Sequence, residues 1–381
     1  MGHRAGETVR QLSGELAYQS FCPTPLQDVR LEDMGGDFQA LLAKTSRLIG
    51  RIDGMSSSIP DMDLFISMYV RKEALLSSQI EGTQATLDDI LDPEAAENQN
   101  ANVSEVLNYI KATDYAMARM TELPLCLRLL KETHEVLLSG IRGSQKNPGE
   151  FRRSQNWIGP AGSTLKTATY IPPSVEDMNT ALGELETYIN LEETQPDVLI
   201  RAALIHYQFE TIHPFLDGNG RMGRLLIILY LMQKQVLQKP ILYISTFLKL
   251  NRLDYYQRLT MVRNSGNYEQ WIAFFVQALY QTADDALTAI KQLIALREEN
   301  RQKIATLGRS AKSARLVYDY IEKSPIIDIR KTSNELHLPF TTVSRAVERL
   351  CELGILQLTQ SVKRNRCFAY EAYLAILRKD T

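Results

Sequence analysis

His213-Pro214-Phe215-Leu216-Asp217-Gly218-Asn219-Gly220-Arg221-Met222-Gly223-Arg224 is the stretch on which the reading of this chain turns. Gly218-Asn219-Gly220 stands directly before a strongly apolar run, so a tight turn opens a buried helix. Two glycines let the backbone adopt φ > 0 and approach a ligand closely. The N–H groups of such a turn, with a helix N-terminus behind them, make a cradle for an anion. Arg221 and Arg224 are three residues apart and project from one side of the first helical turn. Each guanidinium can fork onto phosphate oxygens. Asp217, at the lip of the cradle, suits a Mg²⁺ ion that bridges phosphates. His213, as a neutral imidazole, can take a proton from an incoming hydroxyl. A base, a metal ligand, an anion nest and two arginines imply attack of a hydroxyl on a phosphoanhydride.

Each piece also has an ordinary structural use. A loop histidine can simply be exposed, Gly-Asn-Gly is a common turn, and arginine pairs make salt bridges. Their joint occurrence in this order, just ahead of an apolar helix, favours chemistry.

The stretch resembles the HPFx(D/E)GNGRxxR motif of the Fic family at every defining position. Ala202 to Ile212 looks like the helix that leads into the family's loop. Pro148-Gly149-Glu150-Phe151-Arg152, Asn156-Trp157-Ile158-Gly159 and Tyr170-Ile171-Pro172-Pro173 are similar to its flap, which aligns a target segment by strand addition. The resemblance covers roughly residues 35–300. It implies that His213 is the base, Asp217 holds Mg²⁺, Gly218, Asn219 and Gly220 cradle the phosphates of ATP, and Arg221 and Arg224 contact the phosphate tail. It implies transfer of AMP to a Ser, Thr or Tyr hydroxyl of a protein, with release of pyrophosphate. A related branch that phosphorylates instead carries Lys at the position of Gly220, so Gly220 favours AMP transfer. Asn251 and Tyr255 are similar to residues bordering the adenine pocket, although Tyr255 and Tyr256 can equally serve packing. His206, on an apolar helix, reads as a core histidine.

Ser77-Ser78-Gln79-Ile80-Glu81-Gly82 matches the family's inhibitory (S/T)xxxE(G/N) motif. By that match Glu81 pairs with Arg224, takes the place of the γ-phosphate and restrains the enzyme, with Ser77 opening the motif. Removal of AMP from modified proteins is a secondary activity implied by this glutamate.

Outward from these motifs, the chain reads as mainly helical. Residues 1–35 carry no sustained period. A helix is expected over Asp61–Ile80, with Leu64, Phe65, Met68, Tyr69, Leu75 and Leu76 at helical spacing and Gly82 as its C-cap. Further helices are expected from Thr86, from Ser104, over Leu125–Ser139, from Val175, from Asp197, over Asn219–Lys234, Asp254–Asn264 and Glu269–Leu296. Between residues 140 and 175, glycines and prolines break the pattern, and Asn156–Gly159 with Thr167–Ile171 predict a small β-hairpin flap.

A polar break at Thr306–Ser310 marks a boundary. Beyond it, a helix at Ala314–Lys323, the helix–turn–helix pattern of Thr332–Val347, and strand-like Leu353–Leu356 and Cys367–Tyr370 predict a winged helix-turn-helix (α+β) module. Thr341, Thr342, Ser344 and Arg345 would face DNA, with Lys363-Arg364-Asn365-Arg366 as the wing tip. The module holds 11 Lys and Arg against 8 Asp and Glu. That surplus is modest for DNA binding, so protein contact is an equal use of the same module. The predicted division is therefore 1–112, an N-terminal region with the inhibitory helix; 113–285, the catalytic core; 286–312, a helical linker; and 313–381, the winged helix.

Composition agrees with a globular chain: 381 residues, 44% hydrophobic and 23% charged, with net charge -2. That charge gives no overall pull toward nucleic acid or an anionic membrane. Cys22, Cys126, Cys351 and Cys367 form no CxxC pair, which predicts reduced thiols and a cytoplasmic protein. The apolar run Leu225–Met232 is far short of the roughly 20 residues that span a bilayer. ATP, a hydroxyl-bearing protein target, DNA through 313–381 and a second copy in a homodimer are the expected partners. The rival reading is a DNA-binding transcriptional regulator whose core senses nucleotide without turnover; the presence of both His213 and Asp217 speaks against it.

Overall fold

In the computed structural model, residues 4–58, 62–92, 100–192, 195–359 and 367–379 are described. The chain opens with an antiparallel hairpin, β1 (Gly6–Gln11) and β2 (Tyr18–Pro23), paired from Gly6↔Pro23 to Gln11↔Tyr18. Helices α1 (Gly35–Ser58), α2 (Met62–Ile80), α3 (Leu87–Leu91), α4 (Ala101–Arg119), α5 (Leu127–Leu138) and α6 (Val175–Asn190) follow. Next come α7 (Val198–Ile212), α8 (Asn219–Gln233), α9 (Ser245–Leu250), α10 (Arg252–Ser265) and the 38-residue α11 (Tyr268–Ala305). The C-terminal elements are α12 (Ala311–Ile321), β3 (Ile326–Asp328), α13 (Ile329–Glu335), α14 (Phe340–Glu352), β4 (Gln357–Leu358), β5 (Cys367–Ala369) and α15 (Glu371–Arg378).

The centre is the pair α7 and α8. From Leu199 to Ile212 every residue of α7 is buried, and α8 is buried from Arg221 to Leu231. Both helices are buried around their circumference, polar His206, Gln208 and Glu210 of α7 included, and they pack on each other with α11 alongside. Sequence signals set the ends of several helices. Thr86 and Asp89 form a reciprocal capping box at α3. Ser174, Asp197 and Asn267 cap α6, α7 and α11 through their side chains. Met68, Leu75 and Leu76 of α2 face the core as their spacing predicts. Asp61 and the side chains of Leu64 and Phe65 lie outside what is described.

Four expectations differ from the structure. The N-terminal hairpin was not legible, because Gly-Glu-Thr-Val-Arg-Gln has no apolar alternation; the pair is docked instead by Phe21, which is buried. The flap carries a single β-bridge, Ile158↔Tyr170, in place of two full strands. The Thr167 hydroxyl accepts from the Thr164 amide, and Ser163 turns back onto Pro160, so the loop's polar groups are used within the turn. Leu353–Leu356 is the exit turn of α14, with the Ile355 and Leu356 amides on the Leu350 carbonyl, and the strand begins only at Gln357. The expected boundaries at 112/113 and 285/286 fall inside the continuous helices α4 and α11.

In the C-terminal elements, β3, β5 and β4 form an antiparallel sheet in that order, beside α12, α13 and α14. Val343, Ala346, Val347 and Leu350 turn inward from α14, while Thr341 and Arg345 are exposed and Thr342 and Ser344 half-buried. The expected wing tip, Lys363 to Arg366, lies outside the described residues.

Candidate active site

The loop from His213 to Gly218 joins the two central helices, so both of its ends are fixed by core packing. His213 ends α7 in the left-handed conformation (φ 52°), with its amide on the Phe209 carbonyl. Gly218, also left-handed (φ 76°), begins α8. Between them the Asn219 side chain closes a ring: its Oδ1 accepts from the Phe215 amide and its Nδ2 donates to the Phe215 carbonyl, both at 2.8 Å. That side chain is thus committed to shaping the loop, and only its backbone is left for the expected phosphate cradle. The Asp217 Oδ1 accepts from the Gly218 amide at 2.7 Å.

Three residues outside the motif hold the loop. His134 of α5 stacks on Phe215 at 3.7 Å between ring centroids. Its Nδ1 accepts from the Gly149 amide, so the proton sits on Nε2, which donates to the Asp217 carbonyl at 3.0 Å. Burial pushes this imidazole down to about 4, so it stays in that one neutral tautomer. Arg152, buried to 2% exposure, donates from Nε to the His213 carbonyl and from Nη2 to the Pro173 carbonyl. Asn156 donates to the carbonyls of His213 and Phe215. The flap and the loop are therefore one hydrogen-bonded unit. Arg152 and Asn156 lie in the flap segments Pro148–Arg152 and Asn156–Gly159, and His134 in the helix expected over Leu125–Ser139, with nothing in the local sequence that marks a role for them. Only the structure shows that these three converge.

The functional groups differ sharply in how they are satisfied. Burial holds the His213 imidazole down at about 4, against the pull of the Glu210 backbone and the Glu81 carboxylate, so it is a neutral base at ordinary pH. Arg221 is buried, and its Nε and Nη1 meet no hydrogen-bond partner among the described residues. The nearest carboxylate contact is Nη2 to Asp217 Oδ1 at 3.9 Å. A buried guanidinium left this way is costly unless an anion completes it.

Arg224 is the opposite case. Its Nε donates to the Ser77 hydroxyl at 2.8 Å, and its Nη2 donates to the Ser77 carbonyl at 2.9 Å and to Glu81 Oε1 at 2.7 Å. Burial opposes the charge on Glu81, but the Arg224 guanidinium outweighs it and holds the carboxyl below its ordinary range. The expected pairing of Glu81 with Arg224 is thus present, and Ser77, from the same motif, joins it. Gly220 faces this pair: a side chain there would run into the Glu81 carboxylate. Ser77 and Glu81 are spaced so that one face of α2 and the turn after it meet the start of α8. The same face carries Glu73, whose carboxylate binds the Ser245 amide and hydroxyl and which burial raises to about 7.

His206 is a satisfied core histidine. Its Nδ1 donates to the Gly223 carbonyl, and its Nε2 accepts from the Tyr255 hydroxyl, both at 2.9 Å. Tyr255 is consequently a core residue, 1% exposed and packed near Trp271, and its ring does not border an open pocket. Its neighbour Tyr256 is the exposed one, 39% accessible, and its hydroxyl lies in the field of Glu81 and Arg224. Asn251 sits half-buried at the α9–α10 corner and donates to the Phe247 carbonyl. Adjacent tyrosines look alike in sequence; packing against Trp271 decides which turns inward.

Residues 39–118 match the family model described as Fic/DOC family N-terminal, and residues 124–231 that of the Fic/DOC family. The chain is similar to a protein named Protein adenylyltransferase Fic from Culex quinquefasciatus, 30% identical over 197 residues, or 51% of this chain and 35% of that protein. The protein of the same name from Drosophila grimshawi is 30% identical over 192 residues, 50% of this chain and 36% of that one. The match thus spans about a third of these relatives' length. Among solved structures, a Fic family protein from Desulfovibrio desulfuricans shares the fold, with a TM-score of 0.58 at 18% identity over 89% of this chain and 97% of that one. A Fic domain containing signaling protein from Bacteroides thetaiotaomicron gives a TM-score of 0.52 at 21% identity, over 67% of this chain and 97% of that one.

Proposed function

We infer from this Fic-domain protein, whose domain matches fall within residues 39–231, that it transfers AMP from ATP to a hydroxyl of a protein and that its own Glu81 restrains it. The observation that carries the reading is Arg221. Its buried, incompletely bonded guanidinium stands in the first turn of α8, beside the loop whose proposed base, His213, is neutral, which is the arrangement an incoming polyphosphate completes.

In the reaction so proposed, His213 takes the proton of the attacking Ser, Thr or Tyr hydroxyl. The oxygen bonds to the α-phosphorus, the bond from that phosphorus to the bridging oxygen breaks, and pyrophosphate leaves. The backbone of Gly218–Gly220 and the Arg221 side chain stabilise the charge on the phosphates. The donor set suits magnesium. Asp217 uses Oδ1 for the Gly218 amide, and among the described residues no cluster of three or more His, Cys, Asp or Glu stands ready for an ion. One carboxylate shared with phosphate oxygens and water is the usual magnesium arrangement. Such an ion, held by Asp217, would supply charge neutralisation. Glu81 blocks productive ATP binding because Arg224 cannot serve its carboxylate and a terminal phosphate at once. Tyr256 replaces Tyr255 as the candidate wall for the adenine ring, beside Asn251.

The test is mass spectrometry of purified Glu81→Gly protein after incubation with ATP and Mg²⁺. Peptides carrying the mass of AMP on a hydroxyl side chain are expected. Their absence from a protein that binds ATP would remove the transferase reading and leave nucleotide sensing. Removal of AMP by the unmutated protein is a second activity open to the same assay run in reverse.

For residues 313–381 we propose a winged helix with α14 as its recognition helix, since α12, β3, α13, α14, β4 and β5 follow in the order such a module needs. Retardation of random duplex DNA that weakens steeply with salt is the expected result of a gel shift if the partner is DNA.

A further inference from the structure

The helix that carries the brake is gripped on its far side by the last helix of the chain. Four hydrogen bonds anchor the end of α15. Arg378 donates to Asp88 Oδ1 at the start of α3, at 2.7 Å from Nη2 and 3.0 Å from Nε. The Lys379 carbonyl accepts from the Lys72 ammonium of α2 at 2.5 Å. The Lys379 ammonium donates to Asp285 of α11 at 3.2 Å. Tyr373, Leu374 and Leu377 are buried, and Ile376 and Lys379 line one small cavity with Tyr69, Lys72 and Glu73 of α2.

The grip is in line with the active site. Lys72 and Glu81 are nine residues apart, about 13 Å at helical rise. Between them Glu73 binds Ser245, and Ser77 binds Arg224. At its other end α15 is continuous with the C-terminal sheet. Tyr370, which joins β5 to α15, donates its amide to the Pro325 carbonyl, and its hydroxyl meets Tyr318 and Asn300. A displacement of β5 or α12 therefore reaches α15 through Tyr370, α2 through Lys72, and α3, which packs on α2, through Asp88.

We propose that α15 is a clasp by which the C-terminal module holds α2 in the position that seats Glu81 on Arg224, so that loosening α15 releases the active site. The proposal rests on the reading of Glu81 as a brake. An element packed against the restraining helix shifts the balance between closed and open states by its preference for the closed one.

The test compares self-labelling from α-³²P-ATP with Mg²⁺, and ATP affinity by calorimetry, in the full-length chain. Arg378→Glu sets a carboxylate beside Asp88 and Glu371, both partners of the arginine, and is expected to raise labelling and affinity about threefold to tenfold, the scale of an exposed ion pair and its reversal. The exchange Asp88→Arg with Arg378→Glu should bring both back toward the unmutated values, which an unfolded protein would not do. In a Glu81→Gly background Arg378→Glu should change neither. Unchanged labelling by Arg378→Glu, beside raised labelling by Glu81→Gly, would overturn the clasp and leave the brake standing. An equal rise from Arg378→Glu in the Glu81→Gly background would also overturn it. If Glu81→Gly itself fails to raise labelling or ATP affinity, the brake falls and the clasp with it.

Discussion

Arg224 Nη2 lies 2.7 Å from Glu81 Oε1, and that guanidinium is 1% exposed. The pair lies between an element of the N-terminal region and the first turn of the central helix, so it couples two parts of the chain 143 residues apart. A hydrogen bond between charged partners contributes about 1.5–3 kcal/mol. Glu81→Gly should therefore tighten ATP binding about tenfold to a hundredfold, as titration calorimetry can check; an unchanged affinity would mean that Glu81 does not compete with the nucleotide.

Arg221 should show a conflict between stability and binding. Its Nε and Nη1 have no partner among the described residues although the side chain is buried. Arg221→Met keeps the volume and removes the charge, so the ligand-free protein should gain about 1 kcal/mol or more in urea unfolding. In a Glu81→Gly background the same change should abolish measurable ATP binding. Loss of stability instead would show that the guanidinium is fully satisfied in the resting protein.

His134 touches no expected substrate, yet its loss should be felt at the site. His134→Ala leaves the Gly149 amide and the Asp217 carbonyl unpaired and removes the stack on Phe215. The cost should be at least about 2 kcal/mol in stability. The displaced loop should also lower transfer about a hundredfold, the effect of misplacing reacting groups by about 1 Å. Transfer at the full rate from this variant would dissociate the loop's geometry from its support.

The acid limb of the reaction should be displaced. Burial lowers His213 from the ordinary value near 6.5 to about 4, so the neutral base persists as pH falls through the range in which a free imidazole protonates. For the Glu81→Gly protein, kcat/KM should be flat between about pH 7.5 and 5.5, where an unshifted histidine would lose about tenfold. A tenfold fall over that interval would place His213 in a wetter setting than the structure gives it.

The His213–Arg224 motif and the Ser77–Glu81 motif were legible because both are local patterns: glycines for φ > 0, arginines suited to phosphate, a glutamate one helical turn past a serine. The apolar run Leu225–Met232 of α8 was legible for the same local reason. The supporting groups were not. His134, Arg152 and Asn156 act through contacts of 57 to 83 residues in sequence separation, which no local period encodes. The choice between Tyr255 and Tyr256 was decided by which ring meets Trp271, a tertiary fact. The N-terminal hairpin escaped because its strands are mostly polar and are held by one buried phenylalanine rather than by an alternating face.

The central claim, transfer of AMP by a restrained active site, is met most directly by one labelling experiment. The unmutated protein, Glu81→Gly, and Glu81→Gly with His213→Ala are each incubated with Mg²⁺ and either α-³²P- or γ-³²P-ATP, and protein-bound label is read after denaturing electrophoresis. Weak α-label is expected on the first, strong α-label on the second, a loss of about 10²-fold or more on the third, and no γ-label on any. Label from γ-³²P-ATP, or equal α-label on all three, would contradict the claim.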